Sequence, residues 1–162
     1  MTDLVLDITD QQTFLAVDHD RLRTAIARVL TAERIDSAEI SLALVDDSEI
    51  HRVNREFLGH DYPTDVISFR LNDEAAPSHP CPESSDGAPR LEGELIISTE
   101  TALREAAAHG WSPADELLLY VVHGLLHLCG YDDLTDEARP VMRAREREVL
   151  AGWHLIPTGL EA

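Results

Sequence analysis

The chain has 162 residues, of which 44% are hydrophobic, and it carries a formal net charge of −18 at pH 7. This length and composition favour one globular domain over residues 1–162 with a sizeable core, and they argue against an intrinsically disordered chain. No run of about 18 uncharged apolar residues occurs, and the acidic amino terminus is unlike a secretory signal, so the sequence predicts a cytoplasmic protein without a membrane span.

The first third of the chain alternates between predicted strands and helices. Alternating apolar residues predict a strand over Leu4 to Ile8, and an apolar stripe at helical spacing predicts a helix from about His19 to Ala32. A second strand is predicted over Ile40 to Val45. It is followed by a short helix, for which Ser48 is the expected N-cap and Gly59 the stop signal.

The middle of the chain contains two further predicted strands, separated by a polar segment. The strands cover Val66 to Leu71 and Leu95 to Ser98, and a helix that starts at one of the next two threonines runs to His109. Between the strands, Asp73 to Pro89 is rich in Pro, Ser and acidic residues. We interpret it as a mobile loop, with a lid over the site as the alternative. Cys81 lies in this segment and matches no zinc or redox spacing.

Two helices are predicted in the last third. Ser112 followed by Pro113 is typical of a capped helix start, and the residues that follow are apolar almost all round, so this helix should be central and buried. A last helix through Leu150, capped by Thr135 or Asp136, carries arginines that alternate with glutamates. This alternation predicts a solvated helix face.

The strongest chemical signal lies in residues 117–133, which read LLLYVVHGLLHLCGYDD. His123 and His127 are four residues apart, so on a helix they share one face, about 6 Å apart along the axis. Gly130 is typical of a left-handed helix stop, and Asp133 follows three residues later, free to fold back. Two nitrogens, one carboxylate oxygen and an open fourth position are typical of a catalytic zinc site rather than a structural one.

A pair of core histidines and a peptidase site are the two alternatives to this interpretation. A single histidine on an apolar helix is more often a hydrogen-bonded core residue than a ligand, but the pair, the glycine and the third donor together favour a metal. Zinc peptidases of the H-E-x-x-H type use the same helical pair with a glutamate base after the first histidine. Here that position is Gly124, so peptidase chemistry would lack its proton acceptor. The sequence identifies no catalytic base and no organic cofactor.

Two polar residues near the motif have two possible roles each. Asp132 either orients a ligand histidine or only caps the turn. His109 is either a further polar group near the site or a helix-end histidine without a role in it.

Three segments resemble the YbeY family, bacterial single-strand-specific endoribonucleases associated with ribosomal RNA maturation. Residues 123–133 read HGLLHLCGYDD, similar to the family signature HGxLHLxGYDH. Phe57 to Phe69 reads FLGHDYPTDVISF, similar to D-x-P-T-[DN]-V-L-S-F. Gly93 to Ser98 reads GELIIS and, with Glu100 to Ala102, is similar to G-[DE]-I-x-I-S and its trailing E-T-A. The resemblance covers nearly the whole chain except Asp73 to Pro89.

The resemblance implies an α+β, zincin-like fold with a small four-stranded mixed sheet, parallel except for one antiparallel edge, around a central metal-binding helix. It implies one Zn²⁺ ion held by His123, His127 and Asp133, which would lower the pKa of a bound water to near 7. The implied function is cleavage of single-stranded RNA in late 16S rRNA 3′-end maturation and ribosome quality control. Ribosomal RNA and ribosomal proteins are the implied partners, with neither DNA nor membranes.

Two departures from the family pattern bear on activity. The third ligand is usually histidine in the family and is Asp133 here, which lowers the charge of the site by one and either weakens activation of the bound water or favours a harder metal. Many members carry an activity-linked arginine where this chain has Leu58. No catalytic arginine is therefore carried over.

The charge of the chain does not fit a nucleic-acid enzyme in an obvious way. All 13 basic residues are arginine, and a net negative field repels RNA. Either local arginines line the site, or a basic partner such as a ribosomal protein delivers the enzyme, or the acidity serves only solubility. The densest basic cluster is a candidate RNA contact and comprises Arg139, Arg143, Arg145 and Arg147.

Two other functions stay open at this point. One is a metallopeptidase-like hydrolase, which the zinc spacing suggests and Gly124 opposes. The other is a non-enzymatic, metal-stabilised ribosome-assembly factor, which the overall acidity and Leu58 make credible.

Overall fold

The computed structural model describes residues 2–72 and 90–155. The predicted mobile loop over Asp73 to Pro89, with Cys81, lies outside these residues. In chain order the elements are β1 (Asp3–Asp10), α1 (His19–Ala32), β2 (Ser37–Val45), α2 (Asp47–Leu58), β3 (Val66–Arg70), β4 (Arg90–Ser98), α3 (Thr99–Glu105), a 3-10 helix (Ala106–His109), α4 (Pro113–Leu128) and α5 (Ala138–Ala151). None of the helices in the described ranges is both long and apolar enough to cross a bilayer.

The four strands form one mixed sheet in the order β1-β2-β4-β3. β2 is parallel to both β1 and β4, whereas β3 runs antiparallel to β4 along one edge. Parallel neighbours need a crossover connection, which α1 supplies between β1 and β2. The α+β class and the single antiparallel edge are therefore confirmed, while the zincin-like comparison stays a prediction.

Helices cover both faces of the sheet because side chains alternate along each strand. On β4, Leu95 faces the larger core, which it shares with α1 and α4. The next residue, Ile96, faces the opposite side and packs with Ile50 and Val53 of α2. Burial of each such aliphatic side chain contributes about 1.5–3 kcal/mol. As predicted, α4 lies in the centre, with side chains such as Leu118 completely buried.

The predicted N-cap of α2 was wrong. The helix is capped by Asp46, whose carboxylate accepts a hydrogen bond from the Glu49 N–H at 2.9 Å, rather than by Ser48. β2 continues to Val45, so the chain enters the helix at once and the first residue with a free side chain takes the cap. Gly59 ends the helix with φ 72°, as predicted.

The helix that carries the histidines begins as the sequence predicted. Ser112 Oγ accepts the N–H of Asp115, and Pro113 occupies the first helical position. α5 begins at Ala138, later than expected, although Thr135 Oγ1 accepts the Ala138 N–H at 3.0 Å.

α5 has the predicted solvated face, which includes Arg139 and Glu148, but charged residues also lie on its buried face, which was not predicted. Glu146 is completely buried between Met142 and Leu150, four residues before and after it on the same stripe. Arg145 turns inward and donates to the buried carboxylate of Glu33 at 2.5 Å. The sign alternation of this helix therefore reflects ion pairs made within the molecule.

α4 approaches the sheet closely at Gly124, between the two histidines. A Cβ atom at this position would lie 2.8 Å from Leu95 Cδ2, 3.1 Å from Val66 Cγ2 and 3.2 Å from Ser68 Oγ. Ser68 Oγ also donates a hydrogen bond to the Gly124 carbonyl at 3.1 Å. No side chain fits here unless its neighbours move, and this excludes the glutamate base of an H-E-x-x-H peptidase.

Gly124→Val is expected to lower the free energy of unfolding by about 1–3 kcal/mol, the usual cost of overpacking a core. Helix propensity changes little, since Gly and Val are both poor helix formers. Urea denaturation measures the effect. Ala151→Val, at the exposed end of α5, introduces the same side chain without the contact, and an equal loss in both variants would contradict the close packing at Gly124.

Candidate metal centre

Three side chains converge at the carboxyl end of α4. The Nε2 atoms of His123 and His127 lie 3.1 Å apart, and each is 3.6 Å from a carboxylate oxygen of Asp133. A tetrahedral ion with bonds of about 2.0–2.2 Å would place its ligand atoms roughly 3.3–3.6 Å apart. The two 3.6 Å distances agree with one shared ion, and the two nitrogens would move apart by about 0.2 Å to hold it. The structure brings together all three residues that the sequence singled out.

The turn after α4 positions the third ligand. Gly130 has φ 102°, which favours glycine, and its N–H donates to the His127 carbonyl at 3.0 Å. The Tyr131 N–H donates to the Leu126 carbonyl at 3.0 Å, which closes the helix in a Schellman-type turn. The chain then folds back, and Asp133 comes to lie beside the histidines. The predicted role of Gly130 as a left-handed stop is confirmed.

The second ring nitrogens of the histidines determine where their lone pairs point. His123 Nδ1 is hydrogen-bonded to the carboxylate of Glu146, which also accepts from Arg143 Nη1 at 3.1 Å. His127 Nδ1 is hydrogen-bonded to the Tyr131 carbonyl at 3.1 Å. A carbonyl and an ionised carboxylate can only accept, so both Nδ1 atoms carry hydrogen. Each neutral imidazole then keeps its lone pair on Nε2.

Three hydrogen-bond acceptors thus face one point without a hydrogen between them. Such groups repel one another unless a cation lies among them. Burial, followed by the charge of the neighbouring His123, lowers the pKa of His127, so His127 is readily available as a neutral ligand. A divalent metal ion fits the distances and the lone-pair directions.

The donor set narrows the choice of ion. Imidazole nitrogens suit Zn²⁺ and other transition ions, whereas Mg²⁺ and Ca²⁺ prefer sites made of oxygen. The side chains of His123, His127 and Asp133 keep 19%, 29% and 30% of their surface exposed. An ion held by them would therefore retain an open face toward solvent, as catalytic sites do.

Two clefts open on the ligands from different sides. The first has a volume of about 640 Å³, contains His123 and Asp133, and extends between α3 and α4 toward Asp65, Arg104, His109 and Arg143. The second has a volume of about 510 Å³, contains all three ligands, and extends along β3 and the loop after α2 toward Leu58, His60, Tyr62, Arg70 and Leu134. The two clefts share His123 and Asp133 and therefore meet at the metal centre.

The structure assigns contacts to the two residues whose roles were open. Asp132 Oδ1 accepts the Leu134 N–H at 2.9 Å, so Asp132 caps the turn rather than orienting a histidine. His109 lines the first cleft and is hydrogen-bonded at 2.5 Å to Glu116, a buried carboxylate that also accepts from Trp111 Nε1. His109 is therefore a polar group near the site and not only a helix-end residue.

Sequence reasoning missed the groups that orient the two histidines. Glu146 gives a detectable signal, since an acid that interrupts the apolar stripe of Met142 and Leu150 is expected to have a buried partner. The carbonyl of Tyr131 gives none, because every residue has one. The arginines of α5 also differ from expectation: Arg139, Arg143 and Arg145 all hold carboxylates of the same molecule.

Comparison with known proteins gives consistent matches. The family model described as Endoribonuclease YbeY matches residues 7–154. The protein of that name from Moorella thermoacetica is 43% identical over 90% of this chain and 94% of its own length. The Endoribonuclease YbeY from Rhodopirellula baltica is 44% identical over 76% of this chain, and the match covers 60% of that protein's length. The solution structure of a Thermotoga maritima protein matches with a TM-score of 0.55 and 23% identity over 92% and 91% of the two chains, which supports the fold.

Asp133→Ala is expected to remove most of the bound metal, because two imidazoles alone leave the ion without its anionic ligand. After incubation with zinc and dialysis, elemental analysis should give one equivalent per chain for the unsubstituted protein and a small fraction of that for the variant. Asp136→Ala is the matched control, since its carboxylate is 94% exposed and is paired only with Arg139. Equal zinc in both variants would show that Asp133 is not a ligand.

Glu146→Gln is expected to weaken zinc affinity roughly 10- to 100-fold, the usual effect of altering the partner of a ligand histidine. Competition with a chromophoric chelator measures the affinity. Glu148→Gln, on the same helix but largely exposed and bonded to Arg145, should bind zinc like the unsubstituted protein. The orienting role of Glu146 would be refuted by unchanged affinity in a folded Glu146→Gln protein.

Proposed function

The chain belongs to the YbeY endoribonuclease family, and on this basis we propose that it is a metal-dependent endoribonuclease that hydrolyses phosphodiester bonds of single-stranded RNA. The observation that carries the proposal is the convergence of His123 Nε2, His127 Nε2 and an Asp133 oxygen at the junction of two open clefts. We further propose that Zn²⁺ is the ion.

The residues of the site have separable tasks in this proposal. When bound, a divalent cation supplies Lewis-acid activation of water and of a phosphoryl oxygen. Glu146 and the Tyr131 carbonyl hold the two imidazoles in the tautomer that ligates. Asp133 supplies the only anionic charge among the three ligands and so partly neutralises the cation, which limits how strongly water is activated.

The shape of the site supports a polymeric substrate. Both clefts are lined by His123 and Asp133 and are open to solvent, so together they offer a strand a longer binding surface than the metal centre alone. A peptide is a polymer as well, but Gly124 leaves no room for the glutamate base. Leu58, in place of the activity-linked arginine of many relatives, lines the second cleft, so this chain must obtain positive charge there from another residue.

We extend the proposal to the biological role. Relatives named Endoribonuclease YbeY support a role in processing ribosomal RNA. We propose late 16S rRNA 3′-end maturation and ribosome quality control in the cytoplasm. Since the chain carries a net charge of −18, delivery by a basic ribosomal protein would offset its repulsion from RNA.

Zinc-loaded protein is expected to cleave a labelled single-stranded RNA and to leave the same sequence in duplex form and unfolded casein intact. His127→Ala should abolish RNA cleavage, because the remaining imidazole and carboxylate cannot hold the ion in place. Gel electrophoresis of the RNA and of the casein measures both reactions, and Asp136→Ala, at a largely exposed carboxylate, is the control that should retain activity.

Two results would contradict the nuclease. Cleavage of casein alone, abolished by His127→Ala, would favour a metallopeptidase. A folded, zinc-loaded protein that turned over no RNA, together with a lower melting temperature for His123→Ala, would favour an assembly factor in which the metal only stabilises the structure.

A further inference from the structure

We propose that the second cleft binds one nucleotide of the RNA strand, with its base stacked on Tyr62 and its phosphate held by Arg70. This inference rests on the proposed nuclease function and adds a binding subsite to it. The subsite lies beside the metal centre, because Tyr62 and Arg70 line the same cleft as His123, His127 and Asp133.

The side chain of Tyr62 is presented as a flat, accessible ring. It is 54% exposed, and the ring of His60 stacks on it with centroids 5.4 Å apart and an angle of 7° between the planes. A second ring behind the first stabilises its orientation. Unstacked bases of single strands bind aromatic rings of this kind regardless of sequence.

The loop that carries these rings is held at both ends. The buried side chain of Asn54 donates from Nδ2 to the Tyr62 carbonyl at 2.9 Å, and the Asn54 carbonyl accepts the His60 N–H at 3.2 Å. His51 Nε2 is paired with Asp61 at 2.8 Å, between the two rings in sequence. The rings are therefore held in place before a ligand arrives, which reduces the entropy lost on binding.

Arg70 brings a positive charge to the cleft that pairs with no carboxylate of the residues the structure describes. Its Nη1 donates to the Leu128 carbonyl at 2.8 Å, and its buried Nε has no hydrogen-bond partner. Within residues 2–72 and 90–155, Arg70 forms no ion pair. The carboxylates that line the second cleft in the described residues are Asp132, which caps the turn, and the ligand Asp133, and neither is paired with Arg70.

The two arginines that line the first cleft are already ion-paired, unlike Arg70. Arg104 pairs with Asp47 at 2.8 Å, and Arg143 pairs with the buried Glu146 at 3.1 Å. Their charges are already compensated, so an incoming phosphate gains less from them than from Arg70. The asymmetry favours the second cleft as the side on which the strand is held.

The rim of the second cleft adds apolar surface for a base. Leu134 is 83% exposed and Leu58 is 45% exposed, and both line this cleft together with Tyr62. Exposed apolar side chains grouped beside a reactive centre are typical of a ligand-binding surface. A duplex cannot use this surface, because its bases are already stacked and paired. The subsite thus gives a strongly acidic protein a way to bind single strands that depends on stacking more than on charge.

Binding can be measured separately from cleavage in a His127→Ala background, which should bind RNA without cutting it. A single-stranded oligonucleotide that contains 2-aminopurine reports both affinity, by anisotropy, and stacking, by quenching of its fluorescence. Tyr62→Ala is expected to weaken affinity roughly 5- to 150-fold, the range for one base–aromatic stack, and to relieve the quenching. Tyr62→Phe should retain both, and Phe14→Ala, an exposed aromatic outside the clefts, should change neither.

Salt dependence tests Arg70 with a readout that a purely structural role would not change. Arg70→Gln should reduce the slope of log affinity against log salt by about 0.7, the value for one phosphate contact to a single strand. Arg70→Lys should keep the slope, which also controls for any loss of the bond to α4. Arg104→Gln, which removes an already paired charge, should leave the slope as it is.

The remaining outcomes distinguish failure of the proposed subsite from failure of the proposed nuclease function. If the His127→Ala protein binds RNA but Tyr62→Ala and Arg70→Gln bind it identically, the subsite is wrong and the nuclease function stands. Loss of binding in Tyr62→Phe would assign the effect to the hydroxyl and refute stacking. If the protein binds no single-stranded RNA, while zinc-loaded unsubstituted protein cleaves none, both the subsite and the proposed function fail.

Discussion

The hydrogen bond between His123 and Glu146 links the metal centre to the core of the protein. Glu146 is completely buried and has two partners, the imidazole of His123 and the guanidinium of Arg143. A buried carboxylate that lost one partner would be costly, since several kcal/mol are typically lost when a buried pair is broken. The position of α5 against α4 and the direction of the ligand lone pair are therefore set by the same interaction, and the site cannot rearrange independently of the helices.

The sequence predicted what is determined locally. The i, i+4 pair of histidines, the stop at Gly130 and the return of Asp133 all depend on neighbours in the chain, and the structure has each as expected. The limits of α1 also agree, because its apolar stripe is uninterrupted. Glu146 was missed because its partner lies 23 residues away, and only the packing of two helices brings the two residues together. The spacing of residues along α5 indicates that Glu146 is buried, but it does not indicate which residue Glu146 contacts.

The cap of α2 shows a second limit of sequence reasoning. Asp46, Asp47 and Ser48 are all residue types that cap helices well, so local preference does not choose among them. The choice is made by β2, which stays paired with β4 through Val45 and leaves Asp46 as the first residue outside the sheet. Asp47 then accepts hydrogen bonds from Ser98 and Thr101 at the start of α3. Burial raises the pKa of the Asp47 carboxyl, but the hydrogen bonds from Ser98, Thr101 and Arg104 outweigh burial, so the pKa is lowered.

The contact between Gly124 and the sheet also constrains how this scaffold could diverge. Acquiring a peptidase base beside His123 would require space that Leu95, Val66 and Ser68 already fill. All three residues belong to the edge pair of strands, β3 and β4, and Ser68 is also bonded to the helix backbone. A change of substrate class would thus have to begin with a wider separation between helix and sheet. Variation within the lineage is accordingly easier in the walls of the two clefts than on the helix that holds the ion.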